Sequence, residues 1–282
     1  MTRRGLLAGL GASVLAACSS SVAPKPKVSP GTTRVKDSYG TSARQRGEWW
    51  VPDKPGLLPT VVLVHGGYWR SSYDLSLEDA VAADLAGRGY LCWNIDYAPS
   101  SDPWPSTLRD VAAGYDLIVA GTLADRVDRD RIAVVGHSAG GHLALWLASR
   151  SRLPAGAPGA GSAAPRPKLA VGQAPVAALA DGAREGLGGG AVTALVGGSP
   201  AALPTRYAVA DPVALLPSGV RTLLIHGTSD DTVPISQSRT YVDAAGKAGD
   251  SSTLETFPGG HFEHLDPKSA ALDLLRAALV TL

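Results

Sequence analysis

Six short, mostly apolar runs constrain this chain more than anything else in it: 60–64, 90–96, 131–135, 168–172, 220–226 and 253–257. A strand with one wet face alternates apolar and polar residues. These do not, so each reads as a strand covered on both faces, as in a parallel sheet between helices. Helical spacing fills the intervals at 75–87, 106–122, 140–149, 236–248 and 267–282. The alternation predicts an α/β architecture with a mostly parallel, doubly wound sheet. Ahead of it, 35–51 reads as a hairpin or a pair of edge strands, with Trp49 and Trp50 on opposite faces. Two segments interrupt the pattern. LPAGAPGAGSAAPRP (153–167) is low in complexity and reads as a mobile loop, and the Gly-rich 175–217 reads as a small helical cap insert over the carboxyl ends of the strands.

The first twenty residues stand apart. MTRRGLLAGLGASVLAACSS joins a charged start (Arg3, Arg4) to an apolar stretch at 5–17, which reads as a signal peptide too short to stay as a membrane span. Its start resembles a twin-arginine export signal, and Leu15-Ala16-Ala17-Cys18 resembles the lipobox of bacterial lipoproteins. That resemblance implies a lipidated Cys18. The organisation expected is a signal peptide at 1–17, a lipidated N-terminus and Ser/Pro/Lys linker at 18–33, and one domain at 34–282, exported and held by lipid on the outer side of the bacterial cell membrane. Cys92, inside an apolar run, is then left unpaired and reads as a buried structural thiol. Lys and Arg number 26 against 25 Asp and Glu, so no basic excess points to nucleic acid.

Gly136-His137-Ser138-Ala139-Gly140 fits G-x-S-x-G, in which small residues let a serine sit on a sharp strand-to-helix turn. The pattern is weak by itself. Here the apolar run 132–135 precedes it and Leu143-Ala144-Leu145-Trp146-Leu147 follows, which is the context the motif needs, so Ser138 is the candidate nucleophile. A serine hydroxyl needs a base, and the base an orienting acid. FPGGHFEHLDP offers His261 on a glycine-preceded loop after the last strand, with His264 as its rival. VRTLLIHGTSDDTVP offers Asp230 and Asp231, either within reach of a histidine; Asp230 is preferred because Asp231 is well placed to cap the following segment. His226 is expected to pack at the strand end. After the run at 60–64, His65-Gly66-Gly67-Tyr68-Trp69 brings bare backbone toward a substrate oxygen. The amides of Gly67 and Tyr68, with that of Ala139, form the candidate oxyanion hole. Tyr68, Trp69, Trp104 and residues 187–195 are candidates to line an acyl or alcohol pocket. His261 and His264 lack a third ligand group, so no metal is expected, and the chemistry asks for no organic cofactor.

These residues resemble the α/β-hydrolase superfamily over nearly everything from Trp49 to the end. His65-Gly66-Gly67-Tyr68-Trp69 is similar to the HGGxW of kynurenine formamidases, where the second glycine and its neighbour supply oxyanion donors. Asn94-Ile95-Asp96-Tyr97-Ala98-Pro99, Pro105 and Asp110-Val111 resemble the DYRLAP…P…DV run of lipase-like esterases, with Ala98 in place of the arginine and Tyr68 in place of a third glycine. LLIHGTSDDTVP is similar to the acid loop of prolyl oligopeptidase relatives, whose first aspartate completes the triad, which implies Asp230. The resemblance implies a serine hydrolase, with a carboxylesterase acting on small-molecule esters as the expectation. An arylformamidase is the alternative, and a hydrolase-fold binding lipoprotein without catalysis a third reading. The sequence leaves the oligomeric state open.

Overall fold

The computed structural model of the chain describes residues 31–282. The expected signal peptide, Cys18 and most of the linker lie outside the described residues. The linker was drawn two residues too long, because Thr32 and Thr33 already belong to the first strand, β1 (Thr32–Ser38), which pairs antiparallel with β2 (Arg46–Pro52).

Six further strands follow: β3 (Leu58–Val64), β4 (Leu91–Ile95), β5 (Val127–His137), β6 (Leu169–Gln173), β7 (Arg221–Gly227) and β8 (Ser252–Phe257). They form one eight-stranded sheet in the order β1-β2-β4-β3-β5-β6-β7-β8, antiparallel through β2/β4 and parallel from β4 to β8. The order reverses at β3, so the crossovers wrap both faces and the two cores lie on either side of the sheet. Trp49 stacks on Trp93 in one core, ring centres 4.5 Å apart, while Trp50 lies in the other under the Arg34 guanidinium. The opposite-face assignment of the two tryptophans therefore follows from strand alternation.

The helices are α1 (Asp79–Gly87), α2 (Ser106–Asp116), α3 (Ala139–Ala148), α4 (Leu179–Arg184), α5 (Leu187–Val196), α6 (Pro204–Ala210), α7 (Ser236–Lys247) and α8 (Ala270–Leu279). Several begin later or end earlier than spacing alone suggests. The last starts at Ala270 because Ser269 Oγ accepts the Leu272 N–H, a side-chain cap that fixes the first turn. It then buries Leu272, Leu275 and Leu279, each contributing about 2 kcal/mol by removal from water.

The loop at 153–167 is not free. Arg150, buried and paired with Asp116 at 2.8 Å, donates to the carbonyls of Gly159 and Gly161, and the Tyr115 hydroxyl donates to Pro165 O. One buried guanidinium thus supplies order that the low-complexity sequence conceals. Among the described residues Cys92 is a buried free thiol, and burial pushes its pKa up.

Candidate active site

Ser138 stands between the last residue of β5 and the first of α3, with φ +58°. A non-glycine residue there costs on the order of 1–3 kcal/mol, so the surroundings must hold it. They do so through backbone: Ser138 N donates to Gln173 O at 2.7 Å, and Ser138 O accepts from His142 N and Val176 N. The flanking glycines are required by contact. A Cβ on Gly136 would lie 2.0 Å from Gly140 O, and one on Gly140 would lie 1.9 Å from Val64 O.

His261 Nδ1 donates to Asp230 Oδ2 at 2.7 Å, with both side chains nearly fully buried. The other carboxylate oxygen, Oδ1, accepts the amides of Thr232 and Val233 at 2.9 and 2.8 Å. The capping role expected of Asp231 therefore falls to Asp230 as well. Asp231 accepts only the Thr232 hydroxyl. Burial pushes the Asp230 carboxyl up, but hydrogen bonds from His226, His261 and the Val233 amide outweigh it, and the group sits well below its usual range. His226 is buried at the strand end as expected, and its ring lies between Ser238 Oγ and Val233 O, 3.4 Å from Asp230 Oδ2.

His264, the rival base, does not reach Asp230's hydrogen-bonding shell. It is buried against Phe257, and neither ring nitrogen has a partner among the described residues. Burial holds it well below its ordinary pKa.

Ser138 and His261 meet on one cavity of about 210 Å³. The Ser138 hydroxyl makes no hydrogen bond to His261 here, a looseness common in resting sites before substrate arrives. Gly67 and Tyr68 line the same cavity on a turn with φ +104°, +52° and +55° at Gly67, Tyr68 and Trp69, closed by Arg70 N donating to Gly67 O. The Ala139 amide begins α3, where N–H groups have no partner within the helix. The Tyr68 hydroxyl donates to Thr232 O at 2.7 Å and so ties this turn to the acid loop.

Of the residues expected to line a pocket, Tyr68 does so. Trp69 is buried in the core, and neither Trp104 nor 187–195 borders this cavity. Arg70, Tyr73, Leu77, Thr232, Phe262 and Leu265 complete it. Sequence reasoning missed these six; Phe262, adjoining His261 and 66% exposed, had the clearest signal, its neighbour.

Two supporting groups lie inside the motifs quoted above, although reasoning from sequence assigned them no role. Asp96, fully buried, accepts from Arg44 and Arg46 and lies 3.3 Å from His65 Nε2, while the His65 ring stacks on Tyr97 at 4.2 Å and Tyr97 OH donates to His65 O. The Asp-Tyr pair thus anchors the turn after β3. His137, beside Ser138, has its Nε2 2.9 Å from His261 O. A carbonyl only accepts, and burial lowers the His137 pKa to about 3, so this nitrogen carries the proton and donates. Its Nδ1 side faces Gly66, where a Cβ would come within 3.1 Å.

Comparison with known proteins places this geometry. A family model described as BD-FAE matches residues 50–244. Curated relatives include the probable isoprenylcysteine alpha-carbonyl methylesterase ICMEL1 of Oryza sativa subsp. japonica, 28% identical over 86% of this chain and 60% of its own length. In Mycobacterium tuberculosis (strain ATCC 25618 / H37Rv), the probable carboxylic ester hydrolase LipM is 28% identical over 73% of this chain and 50% of its own. The esterase LipC of the same strain is 36% identical over 37% and 27%. The chain thus spans 60% or less of each of these relatives. Among solved structures, a truncated carbohydrate esterase from gut microbiota superposes with TM-score 0.78 at 18% identity, covering 92% of this chain and 99% of that one. Esterase B of Lactobacillus rhamnosis inhibited by a tributyrin phosphonate gives 0.75 at 22%, covering 90% and 88%.

Proposed function

The chain belongs to the BD-FAE family and has the α/β-hydrolase fold, and from that premise we propose that it is a serine hydrolase that cleaves esters of small molecules. The observation that carries the reading is the 2.7 Å bond from His261 Nδ1 to Asp230, with His261 and Ser138 on one cavity. In the proposed cycle, Ser138 Oγ attacks the ester carbonyl as His261 Nε2 takes its proton. The amides of Gly67, Tyr68 and Ala139 hold the oxyanion. Collapse breaks the bond to the alkoxy oxygen, which leaves with the proton from His261, and water then repeats the sequence on the acyl-enzyme. Asp230 keeps His261 Nδ1 protonated and stabilises the imidazolium.

The cavity is below the usual ligand-pocket range of about 300–1,000 Å³, which favours short acyl groups. Esters are preferred over N-formyl amides because ICMEL1, LipC and LipM are named as esterases or ester hydrolases. Export and lipidation at Cys18 belong to the same proposal, and rest on the N-terminal pattern alone.

The test is turnover of para-nitrophenyl acetate, butyrate and hexanoate beside N-formylkynurenine, with labelling by a para-nitrophenyl phosphonate and mass spectrometry. Faster cleavage of the esters and a mass shift on the peptide bearing Ser138, both lost in Ser138→Ala, are expected. Equal rates in the two proteins end the proposal; a preference for the formamide turns it to the arylformamidase.

A further inference from the structure

The lining of the catalytic cavity holds one permanently charged side chain, Arg70, and no aspartate, glutamate or lysine. Arg126, Arg166 and Arg206 are held by backbone carbonyls, whereas Arg44 and Arg46 have Asp96, Arg150 has Asp116 and Arg276 has Asp84 as carboxylate partners. Arg70 has none among the described residues. Its fixed contacts are neutral: Nη2 donates to Gly188 O at 2.6 Å, and the guanidinium sits 5.7 Å from the centre of the Tyr68 ring. Five N–H donors in a planar fork leave most of its capacity unused, on a residue that lines the cavity.

Its position is also set relative to the reacting atoms. Arg70 N closes the turn on Gly67 O, the turn that presents the Gly67 and Tyr68 amides, and the side chain is tethered by Gly188. A charge held by Arg70 is therefore held at a set offset from the scissile carbonyl. Beside Ser138, His137, His261 and Thr232, the wall is made by Gly67, Tyr68, Tyr73, Leu77, Phe262 and Leu265, and none of these residues offers a competing anion. We propose that this cavity takes esters bearing a carboxylate, recognised by Arg70 through a charge-assisted, two-pronged hydrogen bond. The proposal rests on the serine-hydrolase reading and narrows its substrate class.

Two isosteric pairs test it on the full-length protein. On the acyl side, para-nitrophenyl hexanoate is compared with the para-nitrophenyl monoester of adipic acid, in which a carboxylate replaces the terminal methyl. On the alcohol side, methyl para-acetoxybenzoate is compared with para-acetoxybenzoate. The readout is the ratio of kcat/KM for the anionic over the neutral member, in wild type, Arg70→Gln and Arg70→Lys. In one pair the ratio should fall about tenfold in Arg70→Gln and less in Arg70→Lys, since lysine keeps the charge and loses the fork. Raising salt to about 0.5 M should lower the ratio in wild type and leave it unchanged in Arg70→Gln, because an exposed ion pair is screened. If Arg70→Gln loses its fold on melting, the salt response of the wild type decides. A ratio that does not move in either pair, or neutral and anionic esters losing equally, overturns the proposal and leaves Arg70 as a tether for Gly188. Failure of the hydrolase reading looks different: the neutral esters then turn over no faster than with Ser138→Ala.

Discussion

At Gly136 and Gly140, around the serine, a side chain has nowhere to go: each Cβ would lie within 2.0 Å of a backbone oxygen. At Gly186, ahead of α5 in the segment that follows β6, nothing lies within 4 Å, yet φ is +66°. Gly188, Gly189 and Gly190 continue the left-handed run at +65°, +65° and +85°. Glycine is demanded by neighbours in the first region and by its own dihedral in the second. The elbow is a meeting of three chain segments, β3, β5 and α3, packed backbone on backbone. The glycine run is attached to the site through side chains, with Tyr68 against Gly188 and Arg70 on its carbonyl. Strain is over-determined in one place and lightly held in the other.

The largest effect that can break this contrast is expected at the elbow. Gly140→Ala forces a methyl group into Val64 O, so β3 or α3 must move. A loss above about 4 kcal/mol is expected, seen as a collapse of the denaturation midpoint or as insoluble protein. A soluble variant with an unchanged midpoint would show that the elbow yields as readily as the glycine run.

Next in size is the acid. Asp230→Asn keeps the shape but removes the charge that fixes the His261 tautomer, and kcat should fall about a thousandfold or more. Asp231→Asn touches only the Thr232 hydroxyl and should change kcat less than about threefold. Steady-state kinetics on para-nitrophenyl butyrate compares them, and a larger loss at residue 231 would reassign the acid. Reasoning from sequence divided two roles between these residues, and the structure puts the contacts of both on Asp230. That reasoning gave Asp231 the capping role, because a carboxylate's two oxygens can serve two masters and spacing does not say so: one Asp230 oxygen takes the amides and the other the imidazole.

The same division runs through the rest of the molecule. Strands β3 to β7 were legible because burial on both faces leaves an apolar run, whereas β8, expected to be covered on both faces, is the edge strand and buries Phe257 alone of its residues; the serine's turn was legible because glycine there is obligatory. The pocket walls were not, since Tyr73 and Phe262 come from loops and Leu77 from the short 3-10 helix Leu75–Glu78, whose placement depends on tertiary contacts. Nor was the order of 153–167, which depends on the single Arg150 reaching in from outside the loop.

A third prediction sharpens how the elbow acts on its base. His137 donates to His261 O across 124 positions of chain, so it is a positioning residue, acting through the loop that carries the imidazole. His137→Phe keeps the ring and loses the donor; His137→Gln loses the ring and keeps an N–H. If the donor matters, kcat should fall about tenfold in the phenylalanine variant with KM within twofold, and the glutamine variant should recover most of it, consistent with about 1–1.5 kcal/mol for one hydrogen bond. The reverse ranking would mean that the ring only packs.

The smallest effects test the glycine run. Gly186→Ala meets no atom and pays only for the left-handed dihedral, about 1 kcal/mol, which in a chain of this length lowers Tm by roughly 2–4 °C. Gly188→Ala carries the same dihedral cost, and its methyl would lie 2.6 Å from the Tyr68 ring, on the turn whose amides are proposed to bind the oxyanion. The two variants should therefore melt within a few degrees of each other and differ in rate: unchanged within twofold at 186, several-fold slower at 188. That separation matters because the ring is the path by which a distant, openly packed glycine run would reach the chemistry. Equal rates would mean that Tyr68 swings aside without disturbing its own backbone, and that the left-handed run is tolerated by the site and not coupled to it.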